Sequence, residues 1–188
     1  MEREKLYVLC ACALPLMICS GLVYSMFSLY MAEVLGAPRT QIGLIYMVGS
    51  VAGLLFAPLL GKVSDRFGRK PVILGSMASF VLIFVLYSMA RGYRAVYPIQ
   101  ILEGAAWVGI GAAVTAYIAD IIAADKRGWA MGVYQQTISV GWMIGPAFGG
   151  FLSDVIGFRA IFLLGAVLAA IGFILVLLIV KEPRHQPD

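Results

Sequence analysis

Gly61-Lys62-Val63-Ser64-Asp65-Arg66-Phe67-Gly68-Arg69-Lys70 packs five charged side chains into ten residues. Before it, Thr40 to Gly61 carries no charge; after it, neither does Pro71 to Ala90. About 20 residues of helix cross about 30 Å of hydrocarbon, so two membrane helices joined by a short polar loop account for this pattern. The alternation continues in both directions. Leu6 to Ala32, Gly128 to Ser153 and Ala160 to Val180 are free of charge, and Ala95 to Ala119 holds one acid, Glu103. Six spans of about 20 to 27 residues follow. They are too long and too evenly apolar for β-barrel strands. The first lacks the cleavage site of a signal peptide.

Composition agrees. Of 188 residues, 62% are hydrophobic and 13% are charged, whereas a soluble domain averages about 25% charged. A soluble globule and a disordered chain are both excluded. The net charge of +4 is spread in short clusters between apolar runs. The partner implied is a lipid bilayer, not nucleic acid. Thr40 is the expected N-cap of span 2, Pro71 opens span 3 and Pro183 follows span 6. Ten basic residues (Arg3, Lys5, Lys62, Arg66, Arg69, Lys70, Lys126, Arg127, Lys181, Arg184) fall on one side of the membrane. Four (Arg39, Arg91, Arg94, Arg159) fall on the other. The richer side is cytoplasmic by the positive-inside rule, which places both termini there. Cys10, Cys12 and Cys19 all lie in span 1 and read as packing residues.

The chain also aligns with itself. At an offset of 88, Arg39, Tyr46, Gly53, Pro58 and Gly61 meet Arg127, Tyr134, Gly141, Pro146 and Gly149. At 89, Ser64, Asp65, Gly68 and Lys70 meet Ser153, Asp154, Gly157 and Arg159. Each repeat holds three spans, and an odd number inverts the second copy in the membrane. The second loop has shed most of its positive charge, as an external loop should. Inverted three-span repeats are an architecture of secondary transporters, with the site between the repeats near mid-membrane. The expected fold is an all-α membrane protein of six transmembrane helices in two inverted three-helix repeats, with cytoplasmic N- and C-termini. Residues 1–188 form a single bundle: repeat 1 over about 6–91, repeat 2 over about 95–180, and a polar tail at 181–188.

The opening stretch resembles the signature loop of the major facilitator superfamily, G-x-x-x-D-R-x-G-R-K. It matches at Gly61, Asp65, Arg66, Gly68, Arg69 and Lys70. In span 5, Gly141, Gly145, Pro146, Gly149 and Gly150 complete a segment similar to the antiporter motif of that family's drug/proton exchangers. The resemblance implies twelve spans in two six-span halves, and this chain ends where the first half ends. It also implies that Asp65 meets a helix N-terminus of the other half in one access state. Span 4 departs from the family's R-x-x-Q-G, because Gln100 stands at the Arg position and Glu103 at the Gln position.

Glu103 is the one ionisable residue inside a span other than tyrosine and cysteine, and a charge there costs about 3 kcal/mol or more. Desolvation favours its neutral form, which suits a proton carrier. The plain alternative is a protonated packing contact. The candidates to bind protons or substrate are Glu103, Gln100, Tyr24, Trp107 and Tyr134, and Trp142 and Tyr117 are further stacking residues. In span 5, Gly141, Gly145, Gly149 and Gly150 read as a close-packing stripe with a bend at Pro146. Asp120, Asp125, Lys126 and Arg127 read as a solvated interface. No zinc-protease, redox-pair or phosphate-loop pattern occurs, so no enzyme activity, cofactor or metal is expected. His185, the single histidine, lies in the tail.

The function expected is the N-terminal half of a secondary transporter of the inner (plasma) membrane. It exports small amphipathic or cationic compounds in exchange for protons, by alternating access. Its partners are lipid, a small-molecule substrate, protons and a second six-helix half. That half is either missing from a fragment, a separate chain or a second copy. A homodimeric half-size transporter and a non-transporting membrane scaffold are the alternatives.

Overall fold

The computed structural model describes residues 2–183, so Arg184 and His185 lie outside the described residues. Six long helices account for nearly all of it. α1 (Glu2–Leu29) runs into a π-helical turn (Tyr30–Val34). α2 (Arg39–Phe67), α3 (Arg69–Met89), α4 (Val96–Ile121), α5 (Arg127–Ile156) and α6 (Phe158–Ile179) follow. Single 3₁₀ turns at Tyr93–Ala95 and Ala124–Lys126 lead into α4 and α5. No strand occurs among the described residues. With no water in hydrocarbon to satisfy the backbone, the helix is what such apolar runs must form.

Two boundaries differ from the sequence reading. α2 begins at Arg39 with Pro38 as its N-cap, so Thr40 is already inside the helix. The charged loop is not a loop either. α2 runs through Lys62, Asp65 and Arg66 to Phe67, and only Gly68 separates it from α3. Gly68 takes φ +100°, and Gly157, the single residue between α5 and α6, takes φ +80°. Both turns need glycine, because a β-carbon is strained there. Gly61 is a mid-helix residue facing open space.

Five helices, with α1 taken together with its π turn and α4 with its leading 3₁₀ turn, have both the length and the apolarity to cross a membrane. α5 has the length but falls short in apolarity, since Gln135, Gln136 and Thr137 interrupt it. α5 is also continuous across Pro146.

α1 packs against α5 and α6, α4 packs against α2 and α3, and α3 packs against α6. Exchanging α1 with α4, α2 with α5 and α3 with α6 returns the same list of neighbours. Glycine makes the two closest pairs. A β-carbon at Gly141 would stand 2.5 Å from the Met17 backbone, and one at Gly21 would stand 2.7 Å from the Gly141 carbonyl. On the other side, Gly104 lies against the backbone of Gly49 and Gly53. Such contact lets dispersion hold helices together where lipid removes the hydrophobic drive. α3 and α6 are stapled end to end. Lys70, at the start of α3, donates to the Leu177 carbonyl at 2.8 Å, and Arg159, at the start of α6, donates to the Ala90 carbonyl at 3.3 Å. Each cation meets the negative end of the other helix.

Candidate functional site

Two polar clusters interrupt the apolar interior. The first lies mid-helix. Glu103 on α4 is 5% exposed. Gln100, one turn earlier, donates from Nε2 to Glu103 Oε2 at 3.0 Å and to the Tyr87 hydroxyl at 3.0 Å. That hydroxyl donates in turn to Glu103 Oε2. The amide of Gln100 enters a notch in α2 left by Gly49, where a β-carbon would meet its Oε1. Tyr87 is itself held from above. Tyr30, in the π turn, donates to the Tyr87 carbonyl at 2.7 Å.

Aromatic rings cover this cluster. Trp107 Nε1 donates to the Tyr24 hydroxyl at 3.3 Å. Tyr24 stacks on Trp142 with centroids 6.3 Å apart and planes at 9°. Phe27 packs on Tyr87 at 4.7 Å and Phe80 on Trp107 at 4.9 Å. Trp142, 43% exposed, presents the open side of the stack. Every residue hydrogen-bonded to Glu103 is neutral. α4 holds no Lys or Arg, and on the other helices the basic residues stand only at the ends.

Glu103, Gln100, Tyr24 and Trp107 therefore come together, and Tyr134 does not. It is buried on α5, almost two turns before the Gly141 that meets Met17. The sequence reading missed Tyr87, which hydrogen-bonds both Gln100 and Glu103. Nothing in a lone Tyr of an apolar span marks it. Its spacing from α4 is set by tertiary packing.

The second cluster lies at the end of the bundle that carries the charged segment. Arg69, buried at the start of α3, donates from Nε to Asp120 at 2.9 Å and from Nη1 to Asp65 at 2.5 Å and Ser64 at 3.3 Å. Asp120 thus belongs to this cluster, and it remains exposed, as its reading as solvated interface expects. Arg127 spans Ile122 and Ala119, donating to their carbonyls at 3.4 and 2.9 Å, and caps α4. Asp65 keeps 69% of its side chain exposed. Arg66 and Lys70 point elsewhere: Arg66 lies over the Phe67 ring at 5.3 Å.

Along α5, Gly141, Gly145 and Gly149 are buried against Met17, Gly21, Leu22 and Ser25 of α1, while Gly150 faces open space and shares none of that contact. Pro146 is half-buried beside them.

The family model for the Major Facilitator Superfamily matches residues 9–188. The chain belongs to the Major Facilitator Superfamily. Its relatives in the superfamily include multidrug resistance protein 1 of Bacillus subtilis (strain 168), 32% identical over 149 residues. That match takes in 79% of this chain and 38% of the relative. The tetracycline resistance protein, class B, of Escherichia coli is 30% identical over 146 residues, 78% of this chain and 36% of that protein. Among solved structures, the POT family transporter PepTSo superposes with a TM-score of 0.81 at 18% identity, covering 98% of this chain and 39% of that one. The human organic anion transporter MFSD10 (TETRAN) superposes at 0.74 and 20% identity, covering 97% and 48%. This chain thus spans less than half the length of these superfamily proteins. Superfamily members are transporters rather than enzymes, and this one is a multi-pass protein of the inner membrane.

Proposed function

We propose that the chain is one six-helix half of a proton-coupled exporter of small cationic or amphipathic compounds. One observation carries the reading. Glu103 is a buried carboxyl whose hydrogen-bond partners are all neutral, behind an aromatic stack with one open face. Once ionised, it has no counter-cation within the bundle. An uncompensated charge in that setting costs several kcal/mol, so a proton or a cationic compound must supply the balance. The two compete for one carboxylate, and competition of that kind makes an exchanger. Tyr24, Trp107 and Trp142 offer π faces to a planar or cationic compound.

The exchange of helices that preserves the packing list, the paired glycine turns and the reciprocal Lys70 and Arg159 staples support two inverted three-helix repeats, and the excess of Lys and Arg at one end supports cytoplasmic termini. Asp65 supports alternating access. An exposed ion pair contributes only about 0.2–1 kcal/mol, so a carboxylate 69% exposed beside Arg69 adds little to stability. It is free to meet a helix N-terminus of a second half in one state, where it gains about 0.3–2 kcal/mol and biases the equilibrium. A second half would cover exposed Trp142 and so enclose a cavity beside the aromatic stack.

Everted membrane vesicles test this, with ethidium as probe and the chain expressed together with a second six-helix half. Proton-gradient-driven dye movement in the wild type and its loss in Glu103→Gln are expected. Undiminished movement in Glu103→Gln overturns the role of Glu103. No movement in the wild type overturns the exporter.

A further inference from the structure

α3 begins immediately after Gly68, which has no side chain to cap it. The free N–H groups of its first turn are instead satisfied from the far end of the described chain. Glu182 Oε1 accepts the Arg69 N–H at 2.6 Å, and Oε2 accepts the Lys70 N–H at 2.9 Å. A β-carbon at Gly68 would stand 2.7 Å from Glu182 Oε1, so glycine there serves the carboxylate as well as the turn. Two further bonds hold the chain just before Glu182, one in the last turn of α6 and one beyond it. Lys70 Nζ donates to the Leu177 carbonyl at 2.8 Å, and the Tyr117 hydroxyl donates to the Lys181 carbonyl at 2.9 Å.

A carboxylate on two free amides at a helix start is a charge-assisted cap, favoured by the helix dipole. The residue whose amide it holds is the one that matters at this end. Arg69 bridges Asp65 on α2 and Asp120 on α4. Its guanidinium spans both only if the first turn of α3 keeps its rotation and height. An open cleft of about 960 Å³, lined by Glu182, Asp120, Arg127 and Lys5 among others, lies beside the contact. Beyond buried Val180, the segment therefore has open space into which to move.

We propose that Glu182 is a positioning residue for the Asp65–Arg69–Asp120 bridge, and that through it the chain leaving α6 is coupled to that bridge. Displacing that chain frees both amides, lets the first turn of α3 rotate and unseats Arg69 from the two carboxylates. The device reports the state of whatever follows α6 to the Asp65 end of the bundle. It stands whether or not the protein exports cations.

The test uses the whole 188-residue protein in lipid nanodiscs, with phenylglyoxal labelling of arginine read by mass spectrometry and amide hydrogen exchange measured alongside. In the wild type, Arg69 reacts more slowly than exposed Arg66, and the Arg69 and Lys70 amides exchange slowly. In Glu182→Ala, both amides are expected to lose protection and Arg69 to react at the Arg66 rate, while amides of residues 76–88 keep theirs. Glu182→Gln retains one acceptor oxygen and should fall between. If Arg69 stays protected while its amide is freed, Glu182 is a cap and nothing more, and the proposal falls. Unchanged amides also overturn it. Should Glu182→Ala fail to fold, the Gln variant decides: faster Arg69 labelling supports the proposal, and none overturns it. No readout involves transport, so failure here is distinct from failure of the exporter reading.

Discussion

At the scale of single residues, the bundle's polar groups work through fully partnered bonds. Among the described residues no buried side-chain nitrogen or oxygen lacks a partner, as an interior without water demands. Tyr30 illustrates the stakes. It is fully buried, and its hydroxyl holds the Tyr87 carbonyl while its ring packs on Phe162 at 4.6 Å. Tyr30→Phe keeps the ring and removes the hydrogen bond. A stability loss of about 1 kcal/mol is expected in a thermal melt of the nanodisc sample, and an unchanged midpoint would show that the bond adds nothing. Glu103 and Gln100 were legible in the sequence as polar residues in an apolar span. Tyr87 was not, because a tyrosine in a membrane helix is ordinarily packing or an interface anchor, and only the approach of α3 to α4 turns it into a ligand of the carboxyl.

At the scale of elements, the two glycine-lined pairs, α1 with α5 and α2 with α4, set how closely the helices approach. A β-carbon at Gly145 would press into the backbone of Gly21 and Leu22, whereas one at Gly150 would meet nothing within 4 Å. Gly145→Ala is therefore expected to cost about 1–3 kcal/mol through overpacking, read as a fall in melting temperature. Gly150→Ala should leave that temperature unchanged. Equal behaviour of the two would mean that the close contact does not hold α1 to α5. The sequence marked all four glycines of the stripe alike. Which of them face α1 depends on the rotation of α5, and i, i+4, i+8 share a face while i+9 turns off it. The single-residue turn at Gly68 was hidden for a related reason. Charge marks where a chain leaves hydrocarbon but not where its helix ends, and α2 continues about a turn and a half beyond the last apolar residue of the run.

At the scale of the whole molecule, apolar side chains are exposed on every helix, and α2 and α5 present the face that matters for a second half. Trp142, Met143, Tyr46 and Leu54 are exposed along α5 and α2, with Gln135 and Gln136 beside them. In the two-half reading this face looks into the cavity and onto the second wall. The purified chain alone is then expected to run as a monomer in nanodiscs and to move no ethidium under a proton gradient. A dimer mass accompanied by flux would instead show that two copies build the cavity. Mass measurement of the nanodisc particle, taken with the flux, separates the two.

The sequence by itself determined the class of fold, the number of helices and the superfamily. The fold class and the helix count rest on hydropathy, charge and spacing, which the bilayer reads directly from local composition, and the superfamily rests on the motifs of residues 61–70 and 141–150. The tertiary structure alone decided which polar residues meet. It brought Tyr87 to Glu103, Asp120 to Arg69 and Glu182 to the start of α3, and it set Tyr134 apart. Those pairings span separate helices. They depend on helix rotation and register, which small residues at the contacts fix only when all six helices pack together.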